Sequence, residues 1–364
     1  MKKILCITES LAGGGAEHQM AILCNLLYEK GYDVSLVTYA DVPDHYAVND
    51  GIKRIRLGVG KSSFRTVFSI FWYFIRLKTD CIISYRQACN ARVLLPLFLR
   101  RKNIKVICGE RNLSLKERTN NFERFLFTIG YNRADYIVPN SYSQSKFLTE
   151  RCPSWESKIK TIINYTDIEQ FKMANMPSDD TVIKIAVFAR FSSQKNAPRF
   201  VQMLYQLKNK SIKPFHVDWY GYRGKNGNDP NYLKIQNLIS EYNIDDVISL
   251  LPPVKNPALT MNNYHAICLP SLFEGFSNSI AEGICSGKPM LVSDVSDNSL
   301  MVHDEVNGFL FDPTSTESMK GAFLKFFSTS KEMKKEMGLN SRQIAEKLFD
   351  ADIFIQKYID LIES

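Results

Sequence analysis

The chain has 364 residues, 45% of them hydrophobic and 23% charged, which excludes a disordered or fibrous polypeptide and allows two globular domains of ordinary size. The formal net charge of +8 is uneven: residues 1–170 carry 25 Lys and Arg against 16 Asp and Glu, whereas residues 171–364 carry 21 against 22. The basic half either faces something anionic (nucleic acid, a membrane surface, a phosphorylated substrate) or is a solvated basic surface with no partner.

The opening stretch MKKILCITES has too short an apolar run for a signal peptide and no small-residue cleavage site, so Lys3–Thr8 is predicted as a first strand. GGG at Gly13–Gly15 follows it. The next segment, AEHQMAILCNLLYEKG, repeats Ala16, Met20, Leu23 and Leu27 at helical spacing and stops at Gly31. Further strands are predicted at Val34–Tyr39, Cys81–Tyr85, Lys105–Cys108, Tyr136–Pro139 and Ile159–Ile163. The longest apolar run, Thr66–Ile75, is about half of what a membrane-spanning helix requires. A polar stretch broken by Pro177, Asn164–Asp180, is the predicted linker.

The pattern then restarts, with strands predicted at Ile183–Phe188, His216–Tyr220, Val247–Leu250, Ala266–Leu269, Met290–Val292 and Phe309–Phe311. Strand and helix alternate at βαβ pitch in both halves, so the expected class is α/β with two doubly wound parallel sheets. The expected division is 1–170, 171–345 and a terminal segment 346–364, whose helix, at about Asp352–Ile362, crosses back to the first domain. Two such sheets face to face would create a cleft, since ligands bind beyond the carboxyl ends of parallel strands. The eight Cys include no CxxC pair and sit mostly in apolar runs, which points to buried thiols rather than disulfides or zinc, and the five His show no metal-binding spacing.

Three motifs fall at predicted strand ends. The Gly13–Gly15 loop precedes a helix and allows close approach to an anion or a sugar hydroxyl, although a loop that needs positive φ explains it as well. A dinucleotide fingerprint fits poorly, because position 18 is His and ESLAG separates the strand from the glycines. Arg190 and Lys195, after the first strand of the second half, join a planar fork to a mobile point charge, which suits a diphosphate; two solvated cations are the alternative. PSLFEGFSNSIAEG, Pro270–Gly283, follows the fourth strand of that half. Within it Ser279-Ile280-Ala281-Glu282 reads as an S-x-x-E capping box, which would turn Glu282 to its own helix. Glu274 has no local capping role, and Ser277, Asn278 and Ser279 offer N–H groups to a phosphate.

Together these residues resemble the retaining GT-B glycosyltransferases of family four, which transfer a sugar from a nucleotide-sugar. The resemblance covers nearly the whole chain: the Gly-rich loop followed by AE, the Arg-x4-Lys of the second half, the acid–seven–acid segment EGFSNSIAE, then GKPMLVSDVSDN and NGFLFD. It implies a GT-B fold of two Rossmann-like domains, with the acceptor on the first and the nucleotide-sugar on the second. It implies that Arg190 and Lys195 hold the donor diphosphate, that Glu282 binds the ribose hydroxyls and that Glu274 meets the donor sugar. Gly275, Phe276, Ser277, Asn278 and Ser279 would line sugar and phosphate, with Gly14 and Gly15 closing over the donor. Candidate acceptor-side residues are Glu17, His18, Arg86, Glu110 and Arg111. Many members carry a His after the fourth strand of the first domain, where this chain reads CGERNLS; that variant is similar to a branch acting on lipid-linked acceptors. NYTD stands where NGxD is usual.

Breaking the anomeric bond leaves negative charge on the diphosphate, which Arg190, Lys195 and the helix start near Ser279 would stabilise, so no metal or other cofactor is expected. The single DxD, Asp350-Ala351-Asp352, opens the last predicted helix, where capping is its expected work. The expected donor is UDP-linked, carrying a hexose or N-acetylhexosamine. Basic-flanked apolar stretches at Phe64–Lys78, Arg92–Lys102 and Phe122–Phe127 are core helices or, taken together, a face resting on an anionic inner-leaflet surface. The expected partner is then a polyprenyl-diphosphate-linked sugar and the expected place a cytoplasmic, peripheral membrane one. No nucleic-acid partner is expected, because no basic motif is interleaved with stacking aromatics. The alternatives are a GT-B nucleotide-sugar epimerase and a catalytically silent sugar-nucleotide-binding subunit.

Overall fold

The structure is a computed structural model that describes residues 1–12, 14–58, 68–70, 78–97, 104–111, 130–173, 177, 181–210 and 213–364. Gly13 and most of Phe64–Lys78, with Phe122–Phe127 and the end of Arg92–Lys102, lie outside the described residues. The chain divides into two units: Met1–Tyr165 with Asp350–Ser364, and Thr166–Phe349. The junctions therefore fall after Tyr165 and Phe349, where the sequence reading places them after 170 and 345.

The first unit holds β1 (Lys3–Thr8), β2 (Asp33–Thr38), β3 (Lys53–Arg56), β4 (Cys81–Tyr85), β5 (Lys105–Glu110) and β6 (Tyr136–Pro139). They form one parallel sheet in the order β3-β2-β1-β4-β5-β6, in which Ile4 pairs with Val34 on one side and Cys81 on the other. Strand order reverses between β1 and β4. Ile4 and Cys6 turn to one face, against Met20, Leu23 and Leu27 of α1 (Gly15–Glu29). Leu5 and Ile7 turn to the other, against Val93 and Leu97 of α2 (Gln87–Leu97) and Leu148 of α3 (Tyr142–Arg151). Burial on both faces is why β1 is a continuous apolar run rather than an alternating one.

The second unit repeats the plan with β7 (Ile183–Phe188), β8 (Phe215–Tyr220), β9 (Ile248–Leu251), β10 (Ala266–Leu269), β11 (Met290–Ser293) and β12 (Gly308–Phe311), ordered β12-β11-β10-β7-β8-β9 and all parallel. Here the order reverses between β7 and β10. Its helices are α4 (Ala197–Lys208), α5 (Pro230–Glu241), α6 (Pro257–Met261), α7 (Asn278–Cys285), α8 (Thr316–Ser328) and α9 (Lys331–Leu348).

The last helix, α10 (Ala351–Glu363), belongs to the first unit, where Phe354, Ile355, Tyr358, Leu361 and Ile362 complete the core on the α1 face. Asp350 caps it by accepting from the Ile353 N–H at 2.9 Å, which is the work expected of the DxD.

One strand escapes the sequence reading and one predicted strand does not form. KRIR (β3) pairs with β2 at the sheet edge, but a single Ile among three cations carries no apolar signal. Ile159–Ile163 is not a strand: it runs beside β6 with a single bridge between Ile159 and Ile137, and the Lys160 and Ile162 N–H groups donate to Ile137 O and Pro139 O at 2.9 and 3.1 Å. Counting β3, CGE ends the fifth strand and not the fourth. Seven of the eight Cys are buried, Cys152 is half-buried and all are free. Among the described residues no helix is long and apolar enough to cross a membrane.

Candidate active site

In a doubly wound sheet the crevice at the reversal of strand order is where loops from neighbouring strands diverge and leave room for a ligand. In the second unit the loops that diverge are those after β7 and β10, and they carry Arg190, Lys195 and Glu274. Lys195 closes a single 3-10 turn, Ser193–Lys195. Asn196 then adopts the left-handed conformation (φ 57°), tolerable for a short amide, and its Nδ2 anchors the turn by donating to Pro313 O at 2.8 Å. The turn thereby points Lys195 across the crevice, where its Nζ lies 2.5 Å from Glu274 Oε1. The two side chains are 13% and 8% exposed, so the pair is largely withdrawn from water.

Glu274 is held further by Gln194 and Ser296. Gln194 Nε2 donates to Phe273 O at 2.8 Å and to Glu274 Oε2 at 3.4 Å. The Glu274 N–H donates to Ser296 Oγ at 3.1 Å, and Ser296 itself has φ 53°. Gln194 and Ser296 are positioning residues that the sequence reading does not single out. Ser296 lies within VSDVSDN, so its signal was a matched motif rather than a spacing. Arg190 lies exposed on the same loop, with no ion pair to any described residue.

The helix α7 begins at Asn278 with Ser277 as N-cap, and Ser277 makes no side-chain capping bond. Phe276 is buried against Phe349, their centroids 6.1 Å apart, which fixes the loop between Gly275 and the helix. The expected capping box does not form. Ser279 is inside the helix, and its Oγ donates to Phe188 O of β7 at 2.6 Å, tying the helix start to the strand across the crevice. Glu282 is in the second turn, and no described residue hydrogen-bonds its carboxylate. Burial alone pushes that carboxyl up to about 7. A helix start without a side-chain cap, two cations and two carboxylates thus meet at one reversal point, which suits a ligand with both phosphates and hydroxyls.

In the first unit Gly14 (φ 131°) is the N-cap of α1 and Gly15 its first residue. Glu17, on the first turn of α1, is buried and paired with Arg86. Glu110 and Arg111 instead turn inward, 3% and 7% exposed. Glu110 Oε1 accepts from Asn90 Nδ2 at 3.0 Å and from the Tyr131 hydroxyl, yet burial outweighs those bonds and raises the carboxyl to about 7. The Arg111 guanidinium lies 3.9 Å above the Tyr85 ring and donates to Asn164 Oδ1 at 3.0 Å and to the Tyr358 hydroxyl at 2.8 Å. Both side chains are committed to partners inside the unit. His18 stays half-buried on α1.

Residues 169–344 match the sequence model of the family described as glycosyl transferases group 1. The second unit belongs to that family. The chain is also 24% identical over 374 residues to an uncharacterized glycosyltransferase of Haemophilus influenzae, covering 99% of this chain and 98% of the relative. It is 24% identical over 341 residues to N-acetylgalactosamine-N,N'-diacetylbacillosaminyl-diphospho-undecaprenol 4-alpha-N-acetylgalactosaminyltransferase of Campylobacter jejuni, covering 88% of each. HepE of Anabaena, solved in complex with UDP and glucose, superposes with a TM-score of 0.79 at 17% identity over 100% of both chains. The fold of the chain is GT-B.

Proposed function

We propose that the protein moves a hexose or N-acetylhexosamine from a UDP-linked donor to a lipid-linked or polysaccharide acceptor, with retention at the anomeric carbon. The observation that carries this reading is the second unit's reversal point, where Lys195 and Glu274 meet beside a helix start without a side-chain cap and a Glu282 carboxylate bonded by no described residue. In the proposal Arg190 and Lys195 take the donor diphosphate, which competes with Glu274 for the Lys195 ammonium. Glu274, released from that contact, accepts from donor sugar hydroxyls. The N–H groups from Gly275 to Ser279 face sugar and phosphate, and Glu282 accepts from the ribose hydroxyls.

The reaction breaks the bond between the anomeric carbon and the diphosphate oxygen. Negative charge then develops on the diphosphate, where two cations and the helix start, set in place when the donor binds, stabilise it. The departing phosphate oxygen takes the acceptor hydroxyl's proton on the same face, so the proposal assigns no protein base and no metal. The relatives support the substrates: HepE was solved with UDP and glucose, and the Campylobacter jejuni relative is named for a diphospho-undecaprenol acceptor. A cytoplasmic, peripheral membrane enzyme acting on a polyprenyl-diphosphate-linked sugar fits these and the basic first half.

Thermal shift against UDP-, GDP- and ADP-sugars, followed by assay of nucleotide release with and without a polyprenyl-diphosphate sugar, tests the proposal. A UDP-sugar should raise the melting temperature most, because only a ligand of the folded state does so. Nucleotide release should need the acceptor; acceptor-independent release or epimerised donor would indicate the epimerase instead, and binding without turnover a silent subunit.

A further inference from the structure

α7 is too short to fix its own start. It has 8 residues, fewer than the roughly 12 a helix needs to stand alone, and its N-cap Ser277 makes no side-chain bond. Ser279 Oγ ties its first turn to Phe188 O of β7. On the sheet side it packs closely, since a Cβ at Gly283 would lie 2.9 Å from Met290 Sδ. The remaining hold comes from α9.

α9 lies along α7 in the opposite direction. Lys334, Met337, Gly338, Ser341 and Ala345 form its buried stripe at helical spacing. Gly338 meets the turn after α7: a Cβ there would lie 2.5 Å from Gly287 O, so the two backbones approach as only glycine allows. One turn on, Ser341 Oγ donates to Lys288 O at 2.8 Å. Arg342 Nη1 donates to the O atom of Cys285, the last residue of α7, at 2.8 Å and to Phe171 O at 2.9 Å, a cation at a helix carboxyl end where the helix dipole favours it. Two turns further, the Phe349 ring stands edge-on to Phe276, directly before the N-cap of α7, at an interplanar angle of 90°. Eleven residues separate Gly338 from Phe349 and eleven separate Gly287 from Phe276, so the contacts span α7 from end to end. Phe349 is itself fixed as the C-cap of α9, buried and donating its N–H to Ala345 O at 2.8 Å.

The way the start is held has a chemical consequence. A side-chain cap occupies N–H groups of the first turn. A ring packed behind the loop fixes the same turn and occupies none.

We infer that α9 is a splint for the donor site and that Phe349 is a positioning residue. Acting through Phe276, it holds the loop from Glu274 to Ser277 and the start of α7 in place while leaving their N–H groups to the nucleotide. This rests on the donor reading above and adds to it a determinant that touches no substrate.

The test compares Phe349→Ala with Phe327→Ala in the full chain. Each removes a buried phenyl ring from the second unit, but Phe327 of α8 packs on Phe215 of β8 and on Phe323, not on α7. Calorimetry with UDP, GDP and ADP gives nucleotide affinity, and amide hydrogen exchange over residues 275–282, relative to the rest of the unit, gives the local hold. Phe349→Ala should weaken the tightest-binding nucleotide by about tenfold or more and speed that exchange by a similar factor, because N–H groups out of place no longer meet the ligand. Phe327→Ala should keep both within about twofold of wild type. Phe349→Leu keeps the bulk without the edge-on ring and should show the same losses at about threefold, so the comparison survives if the alanine variant does not fold. Where wild type binds nucleotide, a folded Phe349 variant with wild-type affinity or wild-type exchange overturns the inference, as does an equal loss in Phe327→Ala. Faster exchange over 275–282 in Phe349→Ala, in a protein whose wild type binds none of the three nucleotides, would leave the splint standing and overturn the donor reading.

Discussion

Lys195 Nζ and Glu274 Oε1 lie 2.5 Å apart across the line where the strand order of the second sheet reverses. One follows β7 and the other β10, so 79 residues of chain separate two groups that the fold brings into contact. The pair holds two loops in register while leaving a cation that an incoming diphosphate can recruit. An exposed Arg190 on the same loop has no such tie, and the two cations should therefore answer differently to removal.

Arg190→Ala should lower kcat by about a hundredfold, as loss of one preorganised charge stabiliser commonly does, while unfolding free energy changes by less than about 0.5 kcal/mol. Lys195→Ala should lower kcat as much and also lose about 2 kcal/mol of stability, because Glu274 is left without its charged partner. Initial rates and urea denaturation on both variants check the contrast. Wild-type turnover in either would remove that residue from the donor site.

Glu282 ties stability to pH. Burial raises its carboxyl from the ordinary 4.5 to about 7, so between those values the folded chain holds a proton that the unfolded chain releases. Stability therefore falls as pH rises through that window, and the full cost is carried above about pH 7. Glu282→Gln should be the more stable protein at about pH 8, by on the order of 1–3 kcal/mol, and should show no gain below the window. The same change should weaken nucleotide-sugar binding by about 1–3 kcal/mol, since the amide no longer offers a charged acceptor. Denaturation across pH and calorimetric titration separate the two effects.

Tyr358→Phe should loosen the last helix. Its hydroxyl meets Tyr85 OH at 2.8 Å and accepts from Arg111 Nη2 at 2.8 Å, all inside the first unit. Removing it leaves a buried guanidinium N–H and a buried phenol short of a partner, at a cost of about 2–3 kcal/mol. Faster hydrogen exchange over residues 351–363 with unchanged UDP affinity is the expected pattern.

Binding to liposomes should grow with anionic lipid content and fall with salt, because screening shortens the reach of the basic first half to about 10 Å at 0.1 M ionic strength. Co-sedimentation at low and high salt reads this directly. A protein that ignores anionic vesicles at low salt is not a peripheral membrane enzyme of the proposed kind.

What the sequence by itself determined is local. The apolar runs of β1, β4, β7 and β10 are readable because strands buried on both faces need them, and the helical spacing of Met20, Leu23 and Leu27 marks α1 for the same reason. The spacing of Glu274 and Glu282 and the order of motifs along the chain carried the resemblance and the proposed donor residues. The edge strand KRIR escaped because little of it is buried. The capping box misled because S-x-x-E describes a helix start wherever it occurs, while here the start lies at Asn278 and Ser279 is drawn to Phe188 O on another strand. Only the tertiary structure decided which strand ends adjoin, and so which charges meet: Lys195 with Glu274, Arg86 with Glu9 and Glu17, Arg111 with Tyr358. Periodicity records whether a residue is buried. Strand order is settled by packing between segments far apart in the chain, and no local pattern encodes it.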